Sequence, residues 1–254
     1  MSQTAGNVTP LKSDYLEERR DLAAAFRWTA RLGMHEGIAN HFSLAVSDDG
    51  AQFLLNPFGR HFSLMRASDL LLLDANAGEP EGLGDSVDGT AWYIHGALHR
   101  TVPQARCVMH LHSKYATVLA TLKDPVLPPI DQTACRFFNR VAVDTGFGGL
   151  GLAEEGERLS TLMGNHSVLL MGNHGILTAA PTVAKAFDLI YYFERACETY
   201  ITALSTGREI ALLPDTIAEK TAREIEEFEM PQYADRHLAA VRDILDAEEP
   251  GYRD

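Results

Sequence analysis

The order of apolar and polar residues along the chain predicts helices and strands of ordinary length. Apolar positions that recur every three or four residues are typical of helices covered on one side, and short apolar or alternating runs are typical of strands. On these patterns we predict helices over residues 13–32, 90–100, 113–122, 154–163 and 183–205, strands over residues 42–46, 53–55, 69–74, 107–112, 167–171 and 175–179, and further short strands within 131–150. Hairpins followed by helix–strand units predict an α/β/α (α+β) fold, with a largely antiparallel central sheet covered by helices on both sides.

The charge distribution divides the chain into three parts. Residues 1–12 are polar and irregular, and we expect a flexible N-terminal tail there. Residues 13–207 contain the elements above and are predicted to form a single domain. Residues 208–254 are strongly acidic and helical in period. We therefore expect a helical C-terminal extension that packs on the domain or on a neighbouring subunit.

The composition indicates which classes of protein and which binding partners fit this chain. The chain has 254 residues, of which 46% are hydrophobic, and this is enough for a sizeable core. Its formal net charge of −13 argues against a nucleic-acid-binding protein, which needs a basic face. Three scattered cysteines and the lack of an apolar run of about 20 residues predict a cytoplasmic protein that does not engage a membrane.

A candidate metal site is centred on the apolar run 107–113. Because side chains alternate along a strand, His110 and His112 project to the same side while their neighbours point into the packing. A further histidine, His174, ends a second apolar run at the sequence Asn-His-Gly. Paired strand histidines alone are often surface or structural residues. The third imidazole, at the end of another strand, favours one metal ion held by His110, His112 and His174.

Several stretches of the chain resemble the class II aldolase/adducin domain, in the order and at the spacing found in that family. The matching stretches are 37–43 (Gly-Ile-Ala-Asn-His-Phe-Ser), 55–59 (Leu-Asn-Pro-Phe-Gly), 67–70 (Ala-Ser-Asp-Leu), 103–112 (Pro-Gln-Ala-Arg-Cys-Val-Met-His-Leu-His) and 170–175 (Leu-Met-Gly-Asn-His-Gly). The resemblance covers residues 15–207. It implies that 13–207 form a single domain with the class II aldolase-like fold.

The resemblance also implies a cofactor and an assembly. In the sugar-phosphate aldolases of this family, the equivalents of His110, His112 and His174 bind a catalytic zinc. We therefore expect one divalent metal ion per subunit, Zn2+ first, with Mn2+, Fe2+ or Co2+ as alternatives. Three histidine ligands leave a position open for water or substrate, which suits a Lewis-acid metal. Family members are usually tetramers with active sites between subunits, so a homo-oligomer, a tetramer, is implied here as well.

The chain departs from the aldolases where they move protons and bind phosphate. Their acid/base glutamate on the helix before the central strand corresponds to Ala91, which cannot move a proton. Ile38, His41 and Phe58 stand where the aldolases have polar residues of the phosphate pocket. Phosphate recognition needs several donors. The substrate implied is therefore a small non-phosphorylated acid, and these differences resemble the adducin-like and decarboxylase branches of the family.

Further candidate residues follow from the same motifs. His41 and Glu36 are candidates for proton transfer, because burial can tune imidazole and carboxyl groups toward neutrality; the alternatives are a hydrogen-bonded turn histidine and a solvated loop glutamate. The candidate substrate-binding residues are Asn40, Arg60, Thr90 and Gln132. Arg60 can clamp a carboxylate through two parallel hydrogen bonds, or it is an ordinary surface charge. His95 and His99 are interpreted as polar groups of the core or of an interface.

These observations favour a divalent-metal-dependent lyase. The metal would chelate two oxygens of a small oxo or hydroxy acid and stabilise the enolate-like charge left when CO2 or an aldehyde departs, by decarboxylation or retro-aldol cleavage. Two alternatives stay open. One is a non-catalytic adducin-like binding or scaffold module, and the other is an Fe(II)-dependent oxygenase that uses the same three histidines.

Overall fold

The computed structural model describes residues 14–76, 86–149, 153–228 and 231–254. The predicted N-terminal tail, residues 1–12, lies outside the described residues. Within the described ranges, no helix has both the length and the apolar character that are needed to cross a bilayer.

A seven-stranded sheet forms the centre of the molecule. Its strands are β1 (His41–Ala45), β2 (Gln52–Leu55), β3 (Leu71–Asp74), β4 (Cys107–Leu111), β5 (Val141–Asp144), β6 (Val168–Met171) and β7 (Gly175–Ala180). They lie in the order β3-β2-β1-β4-β7-β6-β5. Neighbouring strands run antiparallel except for β5 and β6, which are parallel. The predicted, largely antiparallel sheet is therefore confirmed.

Helices cover both faces of this sheet. They are α1 (Leu16–Arg31), α2 (Gly89–Thr101), α3 (Lys114–Ala120), α4 (Gln132–Cys135), α5 (Ala153–Met163), α6 (Val183–Ser205), α7 (Asp215–Phe228) and α8 (Pro231–Glu248). On one face, α1, α3, α6 and α8 contribute to a large apolar core. On the other face, Ile94 and Leu98 of α2 and Leu159 of α5 pack with Val108 and Leu177 of the sheet. This arrangement is the predicted α/β/α architecture.

The C-terminal helices pack within the same chain. Leu238 and Leu245 of α8 are buried in the core beside α1 and α6. Arg140 forms ion pairs with Glu219 and Glu226 of α7. The segment after residue 207 therefore contributes apolar side chains to the core and also carries acidic side chains on its surface.

The segment 131–150 differs from the prediction of short strands alone. A short helix, α4, begins there because the side chain of Asp131 accepts a hydrogen bond from the backbone N–H of Ala134 at 2.7 Å. Among the described residues 131–149, only Val141–Asp144 is a strand, and it pairs with β6 at the sheet edge. An N-terminal cap thus outweighs the weak local preference for extended structure.

Candidate metal centre

Two neighbouring antiparallel strands bring the three candidate ligands together. His110 lies near the end of β4 and His112 follows it directly, while His174 directly precedes β7. Leu111 and Ile176 are paired in register, so the end of β4 lies beside the start of β7. Residues separated by more than 60 positions in the sequence therefore meet at one end of these two central strands.

The three imidazoles form one compact cluster. Their ring centroids are 4.8 Å apart in every pair. One ligand atom from each ring can be chosen so that all lie within 4.8 Å of one another. The Nε2 atoms of His110 and His112 are 3.0 Å apart. Converging nitrogen atoms at such separations are what a divalent cation requires.

Hydrogen bonds fix the tautomers of two of these rings. His110 Nδ1–H donates to the backbone carbonyl of Ile176 at 3.0 Å, and His112 Nδ1–H donates to the carboxylate of Glu36 at 2.6 Å. Because a carbonyl and a carboxylate only accept, each neutral ring carries its proton on Nδ1 and a lone pair on Nε2. The Nε2 atoms of the two neutral rings, 3.0 Å apart, can then both present lone pairs to a shared cation. Three imidazole nitrogens fit a divalent metal. The hydrogen bonds from His110 to the Ile176 carbonyl and from His112 to the Glu36 carboxylate are of the kind that orients histidine ligands.

Burial favours the neutral form of His110 and His174. Burial lowers the pKa of His110 well below its ordinary value, and the neighbouring histidines lower it further. Burial, followed by the proximity of His112, lowers the pKa of His174 to about 4. A neutral imidazole is the form that binds a metal. The cluster therefore holds its lone pairs available at neutral pH.

The turn before β7 requires its particular small residues. Asn173 adopts a left-handed backbone conformation with φ of 55°, which asparagine tolerates better than most residues. A Cβ at Gly172 would lie 2.4 Å from the carbonyl oxygen of Asp144, and one at Gly175 would lie 2.4 Å from that of Leu111. The Gly-Asn-His-Gly sequence thus permits the close approach of strands that positions His174.

Glu36 and Asn40 support the cluster from the turn before β1. The Glu36 side chain, 67% exposed, accepts the hydrogen bond from His112. The backbone N–H of Glu36 donates to Asn40 Oδ1 at 2.7 Å, and Asn40 is buried. Asn40 Nδ2 is buried without a hydrogen-bond partner among the described residues. Glu36 is therefore placed to orient His112, a candidate metal ligand, and its predicted role in proton transfer stays a prediction.

Replacing Glu36 by glutamine is expected to weaken Zn2+ binding by about 10-fold. Removing a residue that hydrogen-bonds to a metal-binding histidine typically weakens metal affinity by about 10- to 100-fold. We expect the lower end of that range, because the exposed Glu36 carboxylate is already screened by water. Competition against a chromophoric chelator measures the change. The control is Glu18→Gln, since Glu18 is exposed on α1 and should leave the zinc affinity unaltered. Equal Zn2+ affinities of Glu36→Gln and wild type would show that Glu36 does not support metal binding.

His41 lies beside the cluster on the next strand. It is the register partner of His110, and the two ring centroids are 4.9 Å apart. Its Nδ1 lies 2.6 Å from Nε2 of His95 on α2. Burial, the largest cause, lowers the pKa of His41 to about 4, although the carboxylate of Asp88 opposes the shift. The structure thus brings this predicted residue to the three histidines, while its part in proton transfer stays a prediction.

The first turn of α2 carries no carboxylate at the position of the aldolase acid. Ala91 is fully buried there, and the nearest carboxylate along the helix is the cap residue Asp88. Asp88 Oδ1 accepts hydrogen bonds from the backbone N–H groups of Thr90 and Ala91 and from the Thr90 hydroxyl. Burial opposes ionisation of Asp88, but the Thr90 hydrogen bond and His41 outweigh it and lower the pKa of Asp88. Asp88 therefore serves α2 as an ionised cap near His41.

The remaining candidate substrate residues have local partners. Arg60 donates to the carbonyl of Leu64 at 2.8 Å and forms an ion pair with Asp69 at 3.1 Å. Thr90 is bound to Asp88 as described. Gln132 lines a cavity of about 450 Å³ with Arg136 and Tyr192, away from the three histidines. The roles of Arg60, Thr90 and Gln132 in substrate binding stay predictions.

The hydrogen bonds among several polar residues near the centre were not expected from the sequence. Ser43, His95 and His99 are buried between β1 and α2 and form hydrogen bonds with one another. A signal for them exists, because Ser43 follows His41 at the strand period of two, and His95 and His99 are one helical turn apart. The interpretation of these histidines as core polar groups did not include their link to His41.

This chain is similar to known proteins over the region that contains the three histidines. The family described as Class II Aldolase and Adducin N-terminal domain matches residues 20–201. The crystal structure of an aldolase II superfamily protein from Pseudomonas syringae is similar with a TM-score of 0.86 and 31% identity, over 96% of this chain and 98% of that one.

Two curated relatives have named activities. Decarboxylase NovR of Streptomyces niveus is 30% identical over 85% of this chain and 82% of its own length. The 4-hydroxy-3-prenylphenylpyruvate oxygenase/4-hydroxy-3-prenylbenzoate synthase of Streptomyces roseochromogenus subsp. oscitans is 29% identical over 85% of this chain and 79% of its own length. The family match extends over the strands and turns that carry the three histidines.

Proposed function

Because the chain belongs to the class II aldolase and adducin family, we propose that it is a divalent-metal-dependent lyase. Its reaction is cleavage of a carbon–carbon bond, by decarboxylation or retro-aldol cleavage, in a small non-phosphorylated oxo or hydroxy acid. The relative named as a decarboxylase supports a lyase-type enzyme. The observation that carries the proposal is the convergence of three histidine rings, with the Nε2 atoms of His110 and His112 3.0 Å apart beside His174.

The centre divides the chemical tasks among its residues. A divalent cation bound by the three histidines would supply a Lewis acid that stabilises the negative charge left when the carbon–carbon bond breaks. Glu36 and the Ile176 carbonyl hold two of the ligand rings in orientation. Asn40 Oδ1 accepts a hydrogen bond from the backbone N–H of Glu36 and so holds the turn that carries Glu36. His41 lies close enough to contact the bound acid.

The absence of an acidic side chain at Ala91 favours decarboxylation over the aldolase reaction. An aldolase needs an acid/base group that moves protons with each bond change, and buried Ala91 cannot do so. Loss of CO2 first requires an electron sink and only afterwards a proton. Phe147 is exposed and its ring lies 6.1 Å from that of His174, which suits a substrate with an aromatic or apolar part.

The proposal is tested with purified protein that is stripped by a chelator and reloaded with Zn2+, Mn2+, Co2+ or Fe2+. Aromatic and aliphatic oxo and hydroxy acids are then incubated without oxygen, and CO2 and aldehydes are measured. We expect metal-dependent release of one of these products from at least one acid. Protein that stays metal-free after reloading, and is inert toward every acid, would contradict the lyase and favour an adducin-like binding module.

A second candidate is an Fe(II)-dependent oxygenase at the same histidines, favoured by the relative that is named as an oxygenase. Oxygen consumption with Fe2+ together with inertness under anaerobic Zn2+ or Mn2+ would select this activity over the lyase. We further propose a cytoplasmic homotetramer, and light scattering of the purified protein tests the assembly.

A further inference from the structure

Three polar residues lie buried behind the centre, between β1 and α2. Ser43 and His95 are fully buried and His99 is 8% exposed. Buried polar groups of this kind are costly unless each forms hydrogen bonds, so their partners determine their protonation. The partners here form a single chain that ends at His41.

The direction of this chain is fixed at its far end. His99 Nδ1 lies 2.6 Å from the carbonyl oxygen of Ala105, which only accepts, so His99 carries a proton on Nδ1. Burial lowers the pKa of His99 to about 4 and keeps the ring neutral, which leaves a lone pair on Nε2. The Ser43 hydroxyl, 2.7 Å from that Nε2, must then donate to it.

Two further hydrogen bonds connect Ser43, through His95, to His41 beside the metal centre. Because the Ser43 proton is directed to His99, the Ser43 oxygen accepts a short hydrogen bond from His95 Nδ1–H. Burial lowers the pKa of His95 well below its ordinary value, so this ring is also neutral and its Nε2 carries a lone pair. His41 Nδ1–H therefore donates to His95 Nε2, at 2.6 Å. In the neutral His41 ring the other nitrogen, Nε2, then keeps a lone pair, and it has no hydrogen-bond partner among the described residues.

We propose that Ser43, His95 and His99 are positioning residues that fix His41 as the Nδ1–H tautomer, so that its Nε2 accepts a hydrogen bond from a hydroxyl group of a ligand held beside His110. A lone pair at this place favours a donor and disfavours another acceptor such as a ketone or carboxylate oxygen. The tautomer stands independently of the reaction, whereas the preference for a hydroxyl-bearing acid rests on the proposed function.

The tautomer is measured by nitrogen NMR of protein labelled with 15N-histidine, both metal-free and loaded with diamagnetic Zn2+. Long-range 1H–15N spectra distinguish a protonated from an unprotonated ring nitrogen, and His→Gln variants assign the signals. We expect His41, His95 and His99 to carry protons on Nδ1 and lone pairs on Nε2. A protonated Nε2 on neutral His41 would overturn the proposal.

Variants of His95 separate positioning from simple packing. In His95→Leu the acceptor for His41 is lost, and we expect His41 to shift toward the Nε2–H tautomer, which predominates for free histidine in water. In His95→Gln an amide oxygen can again accept from His41 and an amide N–H can donate to Ser43, so the Nδ1–H tautomer should return. His166→Gln, at an exposed histidine, should leave the His41 signals unaltered. An identical His41 tautomer in wild type and His95→Leu would overturn the positioning role. If His95→Leu does not fold, Ser43→Ala removes the acceptor of His95 Nδ1–H instead, so that His95 can carry its proton on Nε2 and His41 can shift to the Nε2–H tautomer. An unchanged His41 tautomer in that variant would overturn the positioning role equally.

The hydroxyl preference is measured by calorimetry with the zinc-loaded protein. The matched probes are mandelate, a 2-hydroxy acid, and phenylglyoxylate, the corresponding 2-oxo acid. One additional hydrogen bond predicts about 3- to 10-fold tighter binding of mandelate in wild type and His95→Gln, and loss of that preference in His95→Leu. Equal binding of both acids by wild type would overturn the hydroxyl preference. Failure of both to bind would overturn it together with the proposed substrate class, while the NMR measurement decides the tautomer separately.

Discussion

The double variant His110→Ala/His112→Ala is expected to purify without stoichiometric metal and to lose about 1,000-fold or more of the lyase activity. Two of the three imidazoles that converge on one point are removed, and the single remaining histidine cannot hold a divalent ion tightly. Stabilisation of transition-state charge by a Lewis-acid metal contributes several kcal/mol, which corresponds to a rate factor of about this size.

Metal analysis and turnover must be measured on the same preparations. Inductively coupled plasma mass spectrometry gives the metal per subunit, and the product assay gives activity after reloading with each cation. His166→Ala is the control, because His166 is exposed and lies outside the three-histidine cluster. A double variant that retained both stoichiometric metal and full turnover would refute the assignment. Loss of activity with metal retained would place the metal at another site.

A substitution of Gly175 by alanine is expected to destabilise the protein by about 3 kcal/mol and to weaken zinc binding as well. The added Cβ would lie 2.4 Å from the carbonyl oxygen of Leu111 and 3.1 Å from Cδ2 of His112. The first contact is with backbone, so β4 and β7 must move apart where they carry the ligands. Overpacking that forces backbone shifts has a cost of this order.

Urea denaturation of chelator-treated protein measures the stability change without the contribution of metal binding. A competition titration then measures the zinc affinity of the folded variant. Gly89→Ala is the matched control, because a Cβ at Gly89 meets nothing within 4 Å and its stability should change by less than about 0.5 kcal/mol. Wild-type stability and zinc affinity in Gly175→Ala would show that the two strands can separate there without consequence for the centre.

Several features of the centre were predictable from local sequence. The period of two along a strand places His110 and His112 on the same side, and the observed strand Cys107–Leu111 agrees with the apolar run that predicted it. The Asn-His-Gly sequence marks a turn whose left-handed Asn173 and closely packed Gly175 have clear physical reasons. These features depend on residues that are close together in the sequence, so a sequence pattern can predict them.

Other features depend on which elements become neighbours. Arg60 forms its contacts with Leu64 and Asp69, and Gln132 lines a separate cavity, although motif positions suggested both for the substrate. The link from His99 through Ser43 and His95 to His41 requires α2 to lie on one face of β1. Neither helical nor strand periodicity specifies that contact, so the sequence alone could not establish it.

Local patterns along the chain were sufficient to predict the fold class, the strand that presents two histidines and the position of the third histidine at a glycine turn. The tertiary structure alone decided that β4 lies beside β7, so that the three rings meet, and that the His41 ring is held by a buried chain of hydrogen bonds. The physical reason is that side-chain periodicity is set within a few residues of backbone, whereas strand pairing and helix docking are set by burial of the whole core. Hydrogen-bond direction, and with it the tautomer of a buried histidine, is settled only once that core has formed.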